Sequence, residues 1–302
     1  MTLPRRQQIS LDHTPYYHCT ARCVRRAFLC GNDSYSGKNY DHRKHWLETR
    51  LTLASEVFAI DLLAYAIMSN HYHVVLRIDA AATLSWSDAE VTERWGRLFR
   101  VPEQVTAAMI ALWRERLCSL SWYMRVLNES LARRANREDG CKGRFWEGRY
   151  KCQALLDETA LLKCMAYVDL NPIRAAMAQT PETSEHTSIK ARLEGNSHHL
   201  APFHDEAPAM SYSIPVRRQE YLALVDWSGR RLHPEKRGSI PAELPPILAR
   251  IGLDGEQWCR EMKHFGKWYF RAVGSIENLH SYCEYLGQKW LRGTATVLAN
   301  TN

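Results

Sequence analysis

The stretch Ser69-Asn70-His71-Tyr72-His73-Val74-Val75-Leu76 combines a turn signal with a strand-like apolar run that carries two histidines. Successive side chains of a strand point to opposite faces of a sheet, so His71 and His73 leave the same face together. Tyr72 and Val74 then point to the other face, which predicts a hydrophobic core on that side. Two neighbouring imidazoles on an open sheet face can bind a divalent metal ion. The sequence therefore predicts a β-strand that presents a candidate metal site.

A second informative segment, residues 158–172, has the pattern of a short amphipathic helix. Tyr167 and Asn171 are one helical turn apart, so a phenol and an amide can meet at one point. Pro172 disfavours helical geometry at Asn171 and predicts an end or a kink of the helix there. The apolar stripe is Leu161, Cys164, Met165 and Val168, and the opposite, polar side carries Lys163, Tyr167, Asn171 and Arg174.

Three motifs in a fixed order resemble a known family. They are His71-Tyr72-His73, then GRFWEGRYK at residues 143–151, then YVDLNPIRA at residues 167–175. From about residue 13 to about residue 195 the chain resembles the single-tyrosine HUH transposases. The resemblance is best to the bacterial branch associated with repetitive extragenic palindromes.

The resemblance implies a role for each of several residues. His71 and His73 would bind a catalytic Mg²⁺ or Mn²⁺ ion, Tyr167 would be the nucleophile, and Asn171 would be a third metal ligand. His18, on the same-facing side of the first predicted strand, is the reserve candidate for the metal or active site. The implied activity is cleavage of single-stranded or hairpin DNA through a covalent 5′-phosphotyrosine, followed by rejoining of strands.

The residues leave two other classes of function open. A DNA- or RNA-binding regulator on the same fold would need no chemistry, and the joint presence of His71, His73 and Tyr167 argues against it. A metal-dependent phosphoesterase would use the histidine pair and an activated water, without Tyr167. Strand transfer is favoured because such a hydrolase would not need Tyr167, whereas strand transfer needs an intermediate such as phosphotyrosine, which conserves the energy of the phosphodiester bond.

Charge supports a nucleic-acid partner. The 302-residue chain has a formal net charge of +7 and a pI of about 8.9. Residues 1–30 contain five arginines and one acid, and residues 114–151 contain ten basic and five acidic residues. Arginine suits phosphate groups, and interleaved aromatic side chains suit stacking on unpaired bases. The predicted DNA-binding residues are Arg22, Arg25, Arg26, Arg144, Trp146, Arg149, Lys151 and Arg174.

The order of predicted elements, β-α-β-β-α-β-α, indicates an α+β fold with a ferredoxin-like split βαβ sheet, the HUH nuclease core. The second strand, at about residues 60–68, is apolar on both faces, which predicts a central position. We expect the helices on one face of the sheet and the histidines on the other, open face. The remaining predicted elements are strands at about 16–23 and 151–156, a helix at 41–58 and a helical insertion at 88–137.

The length predicts two domains. Residues 1–196 form the HUH transposase or nuclease domain, residues 197–218 a linker, and residues 219–302 a smaller, basic, mainly helical domain of unknown role. Neither a monomer nor a homodimer is excluded.

The chain has the features of a protein from a reducing compartment. Its nine cysteines include no CxxC pair, which argues against a zinc knuckle, and a reducing compartment is the simplest inference from them. No apolar segment follows Met1–Arg6, and no run reaches the length that a membrane span needs. We therefore expect a cytoplasmic, nucleoid-associated protein without a secretory signal or membrane contact.

Overall fold

A five-stranded mixed sheet forms the centre of the protein, for which a computed structural model describes residues 8–24, 29–31, 37–209, 211–232, 248 and 254–294. The strands are β1 (Tyr16–Arg22), β2 (Ile60–Ile67), β3 (His71–Ile78), β4 (Lys151–Leu155) and β5 (Ala272–Val273). Their order across the sheet is β2-β3-β1-β4-β5. The first four pair antiparallel, and β5 pairs parallel to β4. This mixed architecture confirms the predicted α+β class.

Helices surround the sheet on both faces. In chain order they are α1 (His42–Val57), α2 (Ala80–Ser85), α3 (Asp88–Gly96), α4 (Ala107–Leu117), α5 (Leu120–Glu138), α6 (Glu158–Asp169), α7 (Asn171–Arg174), α8 (Ser188–Leu193), α9 (Arg218–Leu232), α10 (Gly255–Trp268) and α11 (Ile276–Tyr285). Among the described residues, none of these helices is both long enough and apolar enough to cross a membrane.

One face of the sheet packs against α1 and α5. Strand alternation sends Tyr17, Cys19, Tyr72 and Val74 to this face, where all four are fully buried. The predicted core on the side opposite the histidines is therefore confirmed.

The other face was expected to be open, and this expectation is wrong. Helix α6 packs on β2, β3 and β4, where Leu161 and Met165 join Leu63 and Val75 in a second buried cluster. The physical reason is the composition of the sheet, because apolar side chains on both faces of β2 require a cover on both sides. The same cover carries Tyr167 to the histidine face.

The predicted central position of β2 is also wrong, since β2 is the edge strand of the sheet. Its free edge is partly covered by residues that follow α7. Thr187 forms an isolated bridge with Ala66, and the Ser188 hydroxyl accepts a hydrogen bond from the Tyr65 amide at 2.9 Å. An apolar strand can therefore lie at an edge when loops and helices protect it.

The predicted helical insertion at 88–137 consists of three helices, α3, α4 and α5. Pro102 lies in the break between α3 and α4, and the Thr106 hydroxyl caps the new helix by accepting from the Met109 amide at 3.3 Å. Proline cannot continue the helical hydrogen-bond pattern, and a threonine cap starts a new helix.

The C-terminal part packs closely on the first part. Asp169, at the end of α6, is fully buried and accepts hydrogen bonds from the Ser188 hydroxyl at 2.5 Å, the Ile189 amide at 2.9 Å and the Tyr221 hydroxyl at 2.5 Å. These bonds join α6 to α8 and to α9, and β5 extends the sheet beside β4. The division into two domains with a linker at 197–218 stays a prediction.

Candidate active site

A cavity of about 430 Å³ lies on the histidine face of the sheet, bordered by β1, β3, β4, α6 and the end of α10. His18 of β1, His71 and His73 of β3 and Tyr167 of α6 all line it. The volume is within the range of small-ligand sites. The structure thus brings the predicted nucleophile and both predicted histidine ligands together.

The strand register explains this convergence. Thr20 is opposite His73, and His18 is opposite Gln153. Directly paired residues of neighbouring strands point to the same face, so these side chains share one surface. β1 is the central strand of this surface and holds the side chains of β3 and β4 together.

A chain of hydrogen bonds fixes the tautomers of two imidazoles. His18 Nδ1 lies 3.2 Å from the amide oxygen of Gln153, which only accepts, so Nδ1 carries a hydrogen. His18 Nε2 lies 2.9 Å from His73 Nδ1, and because His18 is neutral, its Nε2 accepts from His73 Nδ1. The Thr20 hydroxyl lies 3.2 Å from the same His73 nitrogen. The His73 Nε2 atom is consequently left with its lone pair.

Burial keeps all three imidazoles neutral. It lowers the pKa of His18 to about 4, and it lowers the pKa of His71 to about 4 together with the positive charges of Arg22 and Lys151. Burial, reinforced by its histidine neighbours, also holds the pKa of His73 well below its usual range. Neutral imidazole is the form that binds a metal ion.

Both histidines of the HxH motif present an Nε2 lone pair. His71 Nδ1 lies 2.6 Å from Asn70 Oδ1 and donates to it, and the ring centroids of His71 and His73 are 4.9 Å apart. His73 Nε2 is buried and has no hydrogen-bond partner. A buried lone pair without a donor is unfavourable, and a cation would satisfy it. The two side chains therefore fit a divalent metal.

The role of Asn171 as a third metal ligand stays a prediction. Asn171 does not line the cavity, and its amide nitrogen is buried without a hydrogen-bond partner. In the part of the chain that the structure describes, no group of three or more His, Cys, Asp or Glu side chains is arranged to hold a metal ion. His18 lines the cavity, but its Nε2 accepts from His73 and its Nδ1 donates to Gln153.

Tyr167 is held by aromatic and cationic neighbours. Its ring stacks on Phe265 of α10 with centroids 4.7 Å apart, and the Arg174 guanidinium lies 4.5 Å from the ring centroid. The edges of His73 and His18 face it, at 5.9 and 6.3 Å between centroids. These contacts restrict the ring and keep it beside the imidazoles.

A glycine allows α10 to approach the Tyr167 hydroxyl. A methyl group placed on Gly266 would lie 2.9 Å from the Tyr167 hydroxyl oxygen, which is closer than a carbon atom normally approaches. Only glycine therefore permits this contact with the ring in its present position.

A buried ion pair holds α10 against α6 one helical turn before these contacts. Lys163 Nζ lies 2.6 Å from Glu261 Oε2, and both residues are buried. The Glu261 carboxylate also accepts from the Tyr269 hydroxyl at 3.1 Å and from the Gln257 amide at 3.2 Å. Lys163 precedes Tyr167 by four residues, and Glu261 precedes Phe265 by four, so the ion pair sets the register of the stacked rings.

The predicted DNA-binding residues differ in whether they line the cavity. Arg22, Arg149 and Lys151 are exposed and line the cavity, whereas Arg144 and Arg174 are exposed without lining it. Arg22 pairs with Glu147 at 3.6 Å. Arg25 and Arg26 lie outside the described residues.

Trp146 is held by contacts within the protein. Its indole N–H donates to the Asn128 carbonyl at 2.9 Å, and its ring packs edge-on against Tyr72 and Phe145. These contacts anchor the loop before β4, and the ring is only partly exposed.

Sequence reasoning missed Gln153 and the aromatic wall of the cavity, which is formed by Phe265, Tyr269 and Phe270. The sequence does contain a signal for Gln153. It lies two residues from Lys151 on a predicted strand, so the two side chains point to the same face of the sheet. The aromatic wall had none, because residues about 100 positions after Tyr167 reach it only through tertiary packing.

No protein-family model and no curated protein matches this chain. It is similar to a solved structure described as the REP-associated tyrosine transposase bound to a REP hairpin, with 13% identity and a TM-score of 0.40 over 72% of this chain and 98% of that chain. A score of this size does not define a shared fold, so the function is inferred from the site itself.

Removing one partner of the buried ion pair is expected to destabilise the protein. Glu261→Ala leaves the Lys163 ammonium buried without a counter-charge, so we expect the free energy of unfolding to fall by about 3 kcal/mol. The double variant Lys163→Met, Glu261→Leu removes both charges and should recover at least half of this loss. Urea unfolding followed by tryptophan fluorescence measures both.

The matched control is Glu129→Ala, which removes a surface carboxylate paired with Arg125 and Arg133 on α5. Its unfolding free energy should change by less than about 0.5 kcal/mol. Equal unfolding midpoints for Glu261→Ala and the wild-type protein would show that the buried pair does not hold α10.

Proposed function

We propose that this protein is a metal-dependent, single-tyrosine HUH transposase and endonuclease that cleaves and rejoins single-stranded DNA at hairpins. The observation that carries the proposal is the Tyr167 phenol in one cavity with the neutral imidazoles of His71 and His73, beside Arg149 and Lys151. The antiparallel order β2-β3-β1-β4 supports a ferredoxin-like core for this site. Three ordered sequence motifs favour the branch associated with repetitive extragenic palindromes.

The reaction is a transesterification. The Tyr167 oxygen forms a bond to the phosphorus of the scissile phosphodiester while the bond from phosphorus to the 3′ oxygen breaks. Tyr167 gives up its phenolic proton and gains the phosphoryl group, and the departing 3′ oxygen takes up one proton to become a hydroxyl, so the step is balanced. A second 3′-hydroxyl can attack the phosphotyrosine, which reseals a strand without an external energy source.

The protein side chains around Tyr167 support this chemistry. Phe265 and Arg174 fix the ring, and the cationic side chains Arg149 and Lys151 would bind the phosphates on either side of the scissile one. His71 and His73 would hold Mg²⁺ or Mn²⁺, with Asn171 as a proposed further ligand. When bound, the ion supplies Lewis-acid stabilisation of the charge that develops on the phosphate and the leaving oxygen.

Tyr167→Phe is expected to abolish covalent adduct formation, because it removes the attacking oxygen and keeps the ring that stacks on Phe265. The wild-type protein with hairpin-bearing single-stranded DNA and Mn²⁺ should give a protein–DNA adduct on a denaturing gel. The variant should bind the same DNA within about twofold, since the ring is retained.

Three results would contradict this assignment. An adduct that persists in Tyr167→Phe means that another residue is the nucleophile. Cleaved DNA without any adduct in the wild-type protein indicates a phosphoesterase. Bound, uncut DNA indicates a regulator without chemistry. The matched control is Tyr285→Phe, which removes a hydroxyl from an exposed tyrosine outside the cavity and should leave the adduct unchanged.

Removing the buried ligand nitrogen is expected to weaken metal binding. His73→Ala eliminates the Nε2 lone pair, so we expect the affinity for Mn²⁺, measured by titration calorimetry, to fall at least tenfold and the adduct to disappear. His198→Ala, at an exposed histidine outside the cavity, is the matched control and should bind Mn²⁺ like the wild type. Equal Mn²⁺ affinity in His73→Ala and the wild-type protein would remove His73 from the metal site.

The cationic rim is expected to govern the salt dependence of DNA binding. In single-stranded DNA each phosphate contact contributes about −0.7 to the slope of log K against log salt. Replacing Arg149 and Lys151 with alanine should therefore flatten the slope by about 1.4 units. The control pair, Arg97→Ala and Arg133→Ala, removes exposed charges away from the cavity and should leave the slope unchanged.

Neither Arg149 nor Lys151 forms an ion pair with another of the described residues, so their loss should leave the melting temperature within about 2 °C of the wild-type value. An unaltered slope together with a lower melting temperature would instead identify them as structural residues.

A further inference from the structure

The C-terminal part contributes to the cavity an aromatic side chain that has no ring partner among the described residues. Phe270, the second residue after α10, is 53% exposed. Of the large hydrophobic side chains exposed in the described part of the chain, Phe270 alone lines this cavity. Phe265 already stacks on Tyr167, and Tyr269 is buried. Of the three aromatic side chains in this wall, Phe270 is thus the one whose ring a ligand can contact.

The residues on both sides of Phe270 are anchored. On one side the Tyr269 hydroxyl donates to the buried Glu261 carboxylate at 3.1 Å. On the other side the Arg271 carbonyl accepts from the Ala154 amide of β4 at 2.8 Å, where β5 joins the sheet. The ring is therefore held beside the cavity rather than on a freely moving chain, which lowers the entropy cost of binding a flat partner.

Charge defines the kind of partner. The cavity that Phe270 borders carries the cationic side chains Arg22, Arg149 and Lys151 and one acidic side chain, Glu147, which pairs with Arg22 at 3.6 Å. An apolar ring next to an excess of positive charge suits a ligand that combines an aromatic face with phosphates. An unpaired nucleotide has this combination, and base–aromatic stacking tolerates every base because each has a π-face.

We propose that Phe270 is the stacking platform for one unpaired DNA base adjoining the phosphate that Tyr167 attacks. This inference rests on the proposed function and adds the substrate requirement that the nucleotide beside the cleavage point is unpaired. A base inside a duplex is already stacked on both faces and cannot cover the ring. Phe270 would therefore contribute to the selection of single-stranded over double-stranded DNA at the cleavage point.

The test uses the full-length protein and hairpin DNA with a single-stranded flank. The wild-type adduct maps the cleaved phosphate, and 2-aminopurine is then placed on either side of it. Dissociation constants are measured by fluorescence anisotropy without a divalent metal, so that no cleavage occurs. Phe270→Leu keeps an apolar side chain without a π-face, Phe270→Trp keeps the π-face, and Trp290→Leu removes an exposed aromatic side chain outside the cavity.

We expect Phe270→Leu to weaken binding roughly tenfold and to relieve the quenching of 2-aminopurine at one of the two positions. Phe270→Trp and Trp290→Leu should bind like the wild-type protein. When an abasic site replaces the base at that position, the wild-type protein and Phe270→Leu should bind equally, because neither has a base to stack.

The outcomes separate this inference from the proposed function. If the wild-type protein forms the adduct and Phe270→Leu binds and quenches like the wild type, the stacking role is wrong and the function stands. An equal loss on abasic and intact DNA would also overturn the stacking role, since it marks Phe270 as structural. A wild-type protein that neither binds the DNA nor forms the adduct would overturn the proposed function and this inference with it.

Discussion

The antiparallel pairing of β1 between β3 and β4 is the constraint on which the site depends. It places Thr20 opposite His73 and His18 opposite Gln153, so that the hydrogen bonds from Gln153 through His18 to His73 can form. A register slip of one residue would turn the β1 side chains into the opposite core. The chemical state of His73 is therefore a consequence of strand pairing, since the lone pair on Nε2 exists because Nδ1 donates to His18.

Helix α6, which covers the histidine face of the sheet, both buries the imidazoles and contributes a side chain to the site. Helix α6 is required there by the apolar side chains of β2 and β3, and it also carries Tyr167. The same burial keeps His18, His71 and His73 neutral, which is the state that a metal site needs. One packing arrangement thus positions the proposed nucleophile and sets the protonation state of the proposed metal ligands.

Local patterns in the sequence predicted those parts of the site that depend on residues only a few positions apart. The HxH spacing predicted two imidazoles on one face, and the helical pattern predicted the position of Tyr167. The sequence could not show that Trp146 packs on Tyr72, because an aromatic residue between basic ones has the same pattern whether or not its ring contacts the rest of the protein. Nor could it show that β2 is an edge strand, since hydrophobicity reports burial and loops can bury an edge.

The predicted boundary after residue 196 divides groups that act on one another. Tyr167 precedes it and Phe265 follows it, yet their rings stack at 4.7 Å, and the Lys163–Glu261 ion pair spans the same contact. Asp169, two residues after Tyr167, accepts a hydrogen bond from the hydroxyl of Tyr221, which also follows the boundary. Without residues after 196, α6 would expose an unpaired lysine, an unsatisfied carboxylate oxygen and the ring face that Phe265 covers. The position of the proposed nucleophile therefore depends on residues from both parts of the chain, although His18, His71 and His73 all come from the first part.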